Sequence, residues 1–429
     1  MDILFKNITT VTMNNENPVI KGAYVGIKGR KICYLSTTEP TEKATKTIDG
    51  THKVLMPGMY NCHAHAAMTL LRGFAGDLNL EDWLFNNIFP AEQKITPQMV
   101  RTGTQLAAAE MIASGTIALS DMYFDMDVVA KVVDEAGMLG NLSNAVVAFD
   151  KDNYDFSADK IYDQTIRVKD EFGADGRIKA DASIHGVYTS FPNAWQQVMA
   201  FSHKHNLRMH VHLSETQTEH ENCIKNFGGT PAQTFNKHGV FDVPTTVAHA
   251  VWVSDEDIDI LVKKGVTVAH NPLSNLKLAS GLAPVSKMLK KGLNVAMGTD
   301  GMASNNSHDM FEELKMASLL QKYATNDPTT LPALETLKMA TINGAKAQGR
   351  ANESGMIKEG YDADIIMVDL NNPRQSVCHD PTSNLAYSVS GQDVEMTMCR
   401  GKVLYEKGEF KTIDIEKVLH EAHKVKDVI

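Results

Sequence analysis

Val54-Leu-Met-Pro-Gly-Met-Tyr-Asn-Cys-His-Ala-His65 is an apolar run that ends in two histidines, and the texture of the chain changes at this point. Before it, residues 1 to about 53 read as short β segments, Ile3 to Thr9, Ala23 to Lys28 and Lys31 to Leu35, broken by Gly and by loops at Pro18 and Pro40. From it onward, short runs rich in Val, Ile and Ala alternate with longer stretches of helical period, the pattern of parallel βα units. The expected strands are Val54 to Cys62, Ile117 to Asp121, Asn144 to Phe149, Lys179 to His185, Arg208 to Leu213, Thr245 to His249, Val266 to His270 and Asn294 to Asp300. Helices are expected between them, among them Pro97 to Ala113, Val128 to Ala136, Trp195 to His205, Asp255 to Lys264 and Val285 to Lys291. Eight βα units over about 300 residues predict an α/β fold built on a (β/α)8 TIM-type barrel. Strand texture returns in Ala363 to Asp369, Thr397 to Arg400 and Lys402 to Tyr405, and an amphipathic helix is expected over Ile413 to Val428. Both ends thus read as β pieces of one small β-sandwich domain, residues 1–55 and 357–429, flanking a barrel of residues 56–356.

The chain has 429 residues, with 42 Lys plus Arg against 52 Asp plus Glu and a formal net charge of -10. An acidic chain without a basic stripe has no footprint for phosphate backbones and is repelled by anionic lipid, so neither nucleic acid nor a membrane is the expected partner. Five widely spaced cysteines without a C-x-x-C pair fit reduced thiols. With no apolar leader and no spanning run, the expected location is cytoplasmic.

Barrel chemistry gathers at the C-terminal rim of the strands. The expected strands close with Asn61-Cys-His63-Ala-His65, His185, His210-Val-His212-Leu-Ser-Glu215, His249, His270-Asn-Pro272 and Gly298-Thr-Asp300-Gly301. His63 and His65, two apart on an extended segment, leave the same face and can grip one cation at about 2.0 to 2.1 Å. With His212 and Asp300 at equivalent points of later strands they form a mononuclear site for Zn or a neighbouring divalent ion. His210 is expected to face away from His212, as packing or as support for a ligand. Cys62 reads as a buried small residue, His270 as structural or substrate-lining, and His203, His205, His220 and His238 as solvated. Glu215 lies just past its strand end and His249 ends the neighbouring strand, so with Asp300 they can serve proton transfer beside a metal-activated water. This is the constellation of a metal-assisted hydrolase.

Met56-Pro-Gly-Met-Tyr-Asn-Cys-His-Ala-His65, His212-Leu-Ser-Glu215 and Gly298-Thr-Asp-Gly-Met-Ala-Ser-Asn305 resemble the amidohydrolase superfamily. Met68-Thr-Leu-Leu-Arg-Gly-Phe-Ala-Gly-Asp-Leu-Asn-Leu-Glu-Asp-Trp-Leu84 with Phe89-Pro-Ala-Glu92 is similar to the 5-methylthioadenosine/S-adenosylhomocysteine deaminases within it. The resemblance implies a hydrolase of C–N bonds in cyclic amidines, with metal ligands at His63, His65, His212 and Asp300. It implies one divalent ion, Zn2+, per subunit and a small nucleoside substrate, and it leaves room for a homo-oligomer. Substrate contacts are implied at Glu92, to the ribose hydroxyls, at His185, at Glu215 on the purine edge, and at Asp300. In the family's reaction, water activated by the metal attacks C6 of adenine, Glu215 carries a proton to N1, and His249 with Asp300 steers the nucleophile before ammonia leaves. The candidate substrates are 5'-methylthioadenosine, adenosine, 5'-deoxyadenosine and S-adenosylhomocysteine.

Members that bind the amino-acid tail of S-adenosylhomocysteine tend to carry arginine near the third strand. This chain has Leu142-Ser-Asn-Ala145 there and no arginine between Arg101 and Arg167, which predicts a preference for tail-less substrates. The fourth strand ends in Ile184-His185 with Lys179 at its far end, so a carbamylated lysine bridging two metals is not expected. The H-x-E with P-C-x-x-C pattern of the other zinc deaminases is absent. The alternatives are an aminohydrolase of another heterocycle, such as guanine, an oxidised purine, a pterin or a triazine, and a non-catalytic barrel scaffold.

Overall fold

A computed structural model describes residues 1–425. The fold is mixed α/β, with two five-stranded parallel sheets and one nine-stranded sheet. The first parallel sheet runs in the order Asp300–Gly301, Met59–His65, Thr116–Tyr123, Leu139–Asn144, Ile178–Ala180. The second runs Ala182–Ile184, Met209–Leu213, Thr245–His249, Thr267–His270, Asn294–Met297. The sheets adjoin twice. Ile178–Ala180 passes through Asp181 into Ala182–Ile184, and Asn294–Met297 leads on to Asp300–Gly301. Backbone bonds tie both places, Asp181 N to Leu142 O at 2.8 Å and Thr299 N to His63 O at 3.1 Å.

Chain ends meet in the nine-stranded sheet. Its order is Glu409–Phe410, Lys402–Glu406, Val394–Cys399, Ile365–Asp369, Lys53–Pro57, Ile3–Val11, Val19–Lys28, Lys31–Ser36, with Lys46–Asp49 paired to Ile3–Val11. Strand alternation divides its side chains between two cores. Val54, Met56, Ile366 and Val368 pack toward the parallel sheets, while Leu55, Ile365 and Met367 pack with Phe5, Ile8 and Val25 in a separate cluster.

Four expected strands are corrected. The run Lys179 to His185 breaks at Asp181 into two short strands, one in each parallel sheet, because Asp181 N bonds back to Leu142 O of one sheet while Ala182 pairs with Met209 of the other. The run Val54 to Cys62 is two strands, because the chain crosses between sheets at Gly58, where a Cβ would come within 2.6 Å of Ile117. The third strand is Leu139–Asn144, not Asn144 to Phe149. Beyond Asn144 the backbone bonds to loops, as Ala148 N does to Thr189 O at 2.8 Å, and Phe149 is 56 % exposed. Ala145, Val147 and Phe149 line hollows at the site, while Val146 and Ala148 are buried behind them. The run Asn294 to Asp300 is interrupted after Met297.

The helices Pro97–Ala113 and Asp255–Lys264 lie where the pattern predicts them. Thr96 caps the first by accepting from Met99 N, and Ser254 forms a capping box with Asp257 on the second. The closing helix runs Ile415–Val425, and residues 426–428 of the expected segment lie outside the described residues. No helix among the described residues is long and apolar enough to cross a membrane. All five cysteines are free thiols, Cys62 fully buried as expected.

Candidate metal and substrate site

Strand ends of both parallel sheets bring six polar side chains to one place. His63 and His65 come from Met59–His65, His212 from Met209–Leu213 with Glu215 just beyond it, His249 from Thr245–His249, and Asp300 from Asp300–Gly301. Three of the positions around this rim, Ser214, His249 and Asp300, have φ of 48°, 71° and 63°. Non-glycine residues rarely adopt this left-handed region, and such strain gathers at functional sites.

One ligand atom each from His63, His212, His249 and Asp300 lie within 4.8 Å of one another. His65 stands at the edge of that group: its Nε2 is 3.1 Å from Asp300 Oδ1, against 3.2 Å for His63 Nε2. Second-layer bonds orient the rings. His65 Nδ1 donates to Met122 O, His212 Nδ1 to His185 O at 2.6 Å, and His63 Nδ1 meets His210 Nε2 at 3.0 Å. With each Nδ1 engaged, each Nε2 is left to the centre, the arrangement typical of metal-ligating imidazoles. His63 Nε2 is fully enclosed and, beyond its approach to Asp300 Oδ1, has no hydrogen-bond partner, which suits an atom that a cation would satisfy.

The electrostatics agree. Burial pushes His63 down to about 4 and His212 well below its ordinary range, so both rings are neutral near pH 7 and offer lone pairs. Although burial opposes it, the Asp300 carboxylate holds His65 up to about 9, while His63 and His65 keep Asp300 well below the usual carboxylate range against its own burial. A carboxylate that draws this much on neighbouring rings sits where positive charge is favoured. The donor set therefore fits a divalent metal such as zinc.

His210 corrects an expectation. Residues two apart on a strand share a face, so His210 lies on the same side as His212, one layer below, and supports His63. His270 is buried with both ring nitrogens unbonded. Of the histidines expected to be solvated, only His203 is exposed; His205 packs against Phe201 and His238 against Trp195, and His220 is half-buried.

A pocket opens over the cluster. His65, His212, Glu215, His249 and Asp300 form its polar floor, and Trp83, Leu84, Ile88, Phe89 and Leu278 its apolar walls. Glu92 and His185 also line it, so the expected ligands, proton carriers and substrate contacts all face one pocket except the enclosed His63, whereas His270 does not line it. Glu215 Oε2 lies 3.8 Å from His249 Nε2, and burial raises the Glu215 carboxyl. Glu92 is pushed up to about 7 by burial, against the pull of Tyr123 and His65. His185, pushed down to about 3 by burial, is fixed by Thr189 Oγ1 at 3.0 Å. Glu92 leads outward into a second hollow lined by Phe89, Phe124, Val147 and Phe149.

Sequence reasoning missed the supports. Buried Glu219 accepts from Ser214 N at 3.1 Å and Glu215 N at 2.6 Å, pinning the turn that carries Glu215. Asp121 accepts from Ala66 N at 2.8 Å just beyond His65. Glu219 lies in the first turn of the helix Gln217–Phe227, four residues after Glu215, where a carboxylate is ordinary, so no local signal set it apart.

Comparison with known proteins points the same way. The sequence profile of the Amidohydrolase family matches residues 54–404. The chain is 43 % identical over 426 residues to a 5-methylthioadenosine/S-adenosylhomocysteine deaminase of Acetivibrio thermocellus, covering 97 % of each chain. It is 42 % identical over 423 residues to a 5'-deoxyadenosine deaminase of Methanosarcina barkeri, covering 99 % of this chain and 97 % of that one. Among solved structures, a zinc-bound adenosine deaminase from Xanthomonas campestris superposes with a TM-score of 0.93 at 30 % identity, covering 99 % of this chain and 98 % of the other.

Proposed function

The chain belongs to the amidohydrolase family, and we propose that it is a metal-dependent hydrolytic deaminase of adenine nucleosides, giving the inosine analogue and ammonia. The observation that carries this reading is the meeting, in one pocket, of a metal-type cluster with two carboxyls of raised pKa, Glu215 at its floor and Glu92 toward its mouth. In this reading the two parallel sheets are halves of one (β/α)8 barrel, residues 56–356, and residues 1–55 with 357–429 form a small β-sandwich domain. The free thiols favour a cytoplasmic enzyme.

His63, His65, His212 and Asp300 would hold one zinc ion per subunit. A divalent ion held there would supply a water acidified enough to act as nucleophile near neutral pH. Glu215, kept protonatable by burial, delivers a proton to N1 of the purine, which prepares C6 for attack. His249 and Asp300 orient the attacking water, and Glu92 accepts the ribose hydroxyls as a carboxylate. His185 contacts the substrate from the pocket wall. The substituent on C5' then points past Glu92 into the outer hollow. Among its described lining residues there is no Lys or Arg to meet a tail carboxylate, which favours 5'-methylthioadenosine, adenosine and 5'-deoxyadenosine over S-adenosylhomocysteine.

Ammonia release from zinc-loaded enzyme, screened over nucleosides, guanine, pterins and triazines, tests the reading. Nucleosides are expected to give the highest kcat/KM, with S-adenosylhomocysteine below the tail-less substrates. Hydrolysis of a free heterocycle with no nucleoside turnover would move the enzyme to another branch of the family.

A further inference from the structure

Asn271-Pro-Leu-Ser-Asn275, the cap and first turn of the short helix Pro272–Lys277, is buried beneath the site apart from half-buried Leu273, yet none of its residues lines the pocket. Ser274 Oγ donates to Asp300 Oδ2 at 2.6 Å and stands 3.0 Å from Ser304 Oγ, which itself reaches Asp300 Oδ2 at 3.0 Å. One residue on, Asn275 Oδ1 accepts from His249 Nδ1 at 2.8 Å. The turn is anchored in its own right. Leu273 N donates to Glu313 Oε2 at 3.2 Å, and the other oxygen of this buried carboxyl accepts from Asn305 on the loop after Asp300.

We propose that this turn is a positioning device for the deaminase reading above, with Ser274 setting the carboxylate plane of Asp300 and Asn275 setting the tautomer of His249. Asp300 and His249 sit on left-handed backbones at strand ends, so their side chains need holding from another element. With Oδ2 bound by a hydroxyl, Oδ1 is the oxygen turned to His63 and His65. With the proton on Nδ1 committed to Asn275, His249 presents the lone pair of Nε2 toward Glu215, 3.8 Å away. The approach of Asn271 Nδ2 to the same Nδ1, at 3.3 Å, is then a packing contact. Serine and asparagine suit these tasks because each is short, uncharged and supplies the one donor or acceptor required.

The test compares Ser274→Ala and Asn275→Leu with Ser274→Thr and Asn275→Asp, which keep the donor and the acceptor. Three quantities are read: kcat and KM on the best nucleoside, zinc retained after dialysis against a chelator, and melting temperature. Loss of a supporting partner is expected to cost about 10- to 100-fold in kcat with little change in KM, and Ser274→Ala is expected to lose zinc faster. The Thr and Asp variants should recover most of both. Unchanged kcat and zinc retention in Ser274→Ala and Asn275→Leu would overturn the proposal, as would conservative variants that fold but fail equally. Should the Ala variant not fold, Ser274→Cys, which keeps the shape and weakens the donor, carries the same comparison. A parent enzyme that deaminates no nucleoside would sink the functional reading instead, and zinc retention would still decide the role of the turn.

Discussion

On the Lys53–Pro57 strand, Val54, Leu55 and Met56 are buried among apolar neighbours. On the Met59–His65 strand, which begins two residues later, Asn61 and His63 are buried as completely, but among polar ones: Asn61 Nδ2 bonds to Thr299 Oγ1 at 2.7 Å and His63 Nδ1 to His210 Nε2 at 3.0 Å. Burying a polar group costs free energy unless each atom finds a partner. The terminal sheet bears less of that cost, with the pair Lys46–Glu406 at its surface, although Lys53 pairs with Glu395 in a largely enclosed position and Thr10 Oγ1 is buried without a partner. The parallel sheets accept it and bond most of the rings at the site, but His63 Nε2 has only Asp300 Oδ1 in reach and both ring nitrogens of His270 are unbonded. Apolar burial therefore accounts for the first region, whereas in the second the enclosed His63 Nε2, beside Asp300, fits a bound cation.

Breaking the polar region should have the largest effect. His212→Ala is expected to lose its metal and to reduce deamination by more than the roughly 100-fold typical of losing a supporting residue, with the fold retained. Full metal content and activity in that variant, by elemental analysis and ammonia assay, would end the assignment. At the pocket mouth, Glu92→Gln should raise KM for nucleosides about 10- to 100-fold, the worth of one charge-assisted hydrogen bond.

The same residue predicts a pH dependence. Glu92 titrates near 7, and its ionised form accepts the ribose hydroxyls, so kcat/KM should fall as pH drops through about 7. Glu92→Gln should flatten that limb, and a limb that persists unchanged would assign it to another group. The smallest effect on catalysis is expected from the apolar region. Leu55→Ala should cost about 2 to 5 kcal/mol of stability while the folded fraction keeps its metal and its kcat, read by denaturant unfolding alongside turnover.

Much of the architecture was legible because period and alternation are local. They located the helices Pro97–Ala113 and Asp255–Lys264 almost to the residue, and put His63, His65, His212, His249 and Asp300 at strand ends. They misread Ala145 to Phe149, since an apolar run that walls a pocket looks like one that enters a sheet. Glu92 was visible only through family resemblance, a single carboxyl on a short helix having no pattern of its own.

The order of amino acids by itself determined which residues could become ligands and proton carriers. Only the tertiary structure decided that His210 lies beneath His63, that Glu219 pins the Glu215 turn, and that Ser274 and Asn275 hold Asp300 and His249. The physical reason is range. A side chain's face follows from its neighbours along the strand, but its hydrogen-bond partner follows from packing between segments far apart in the chain, which no local periodicity records.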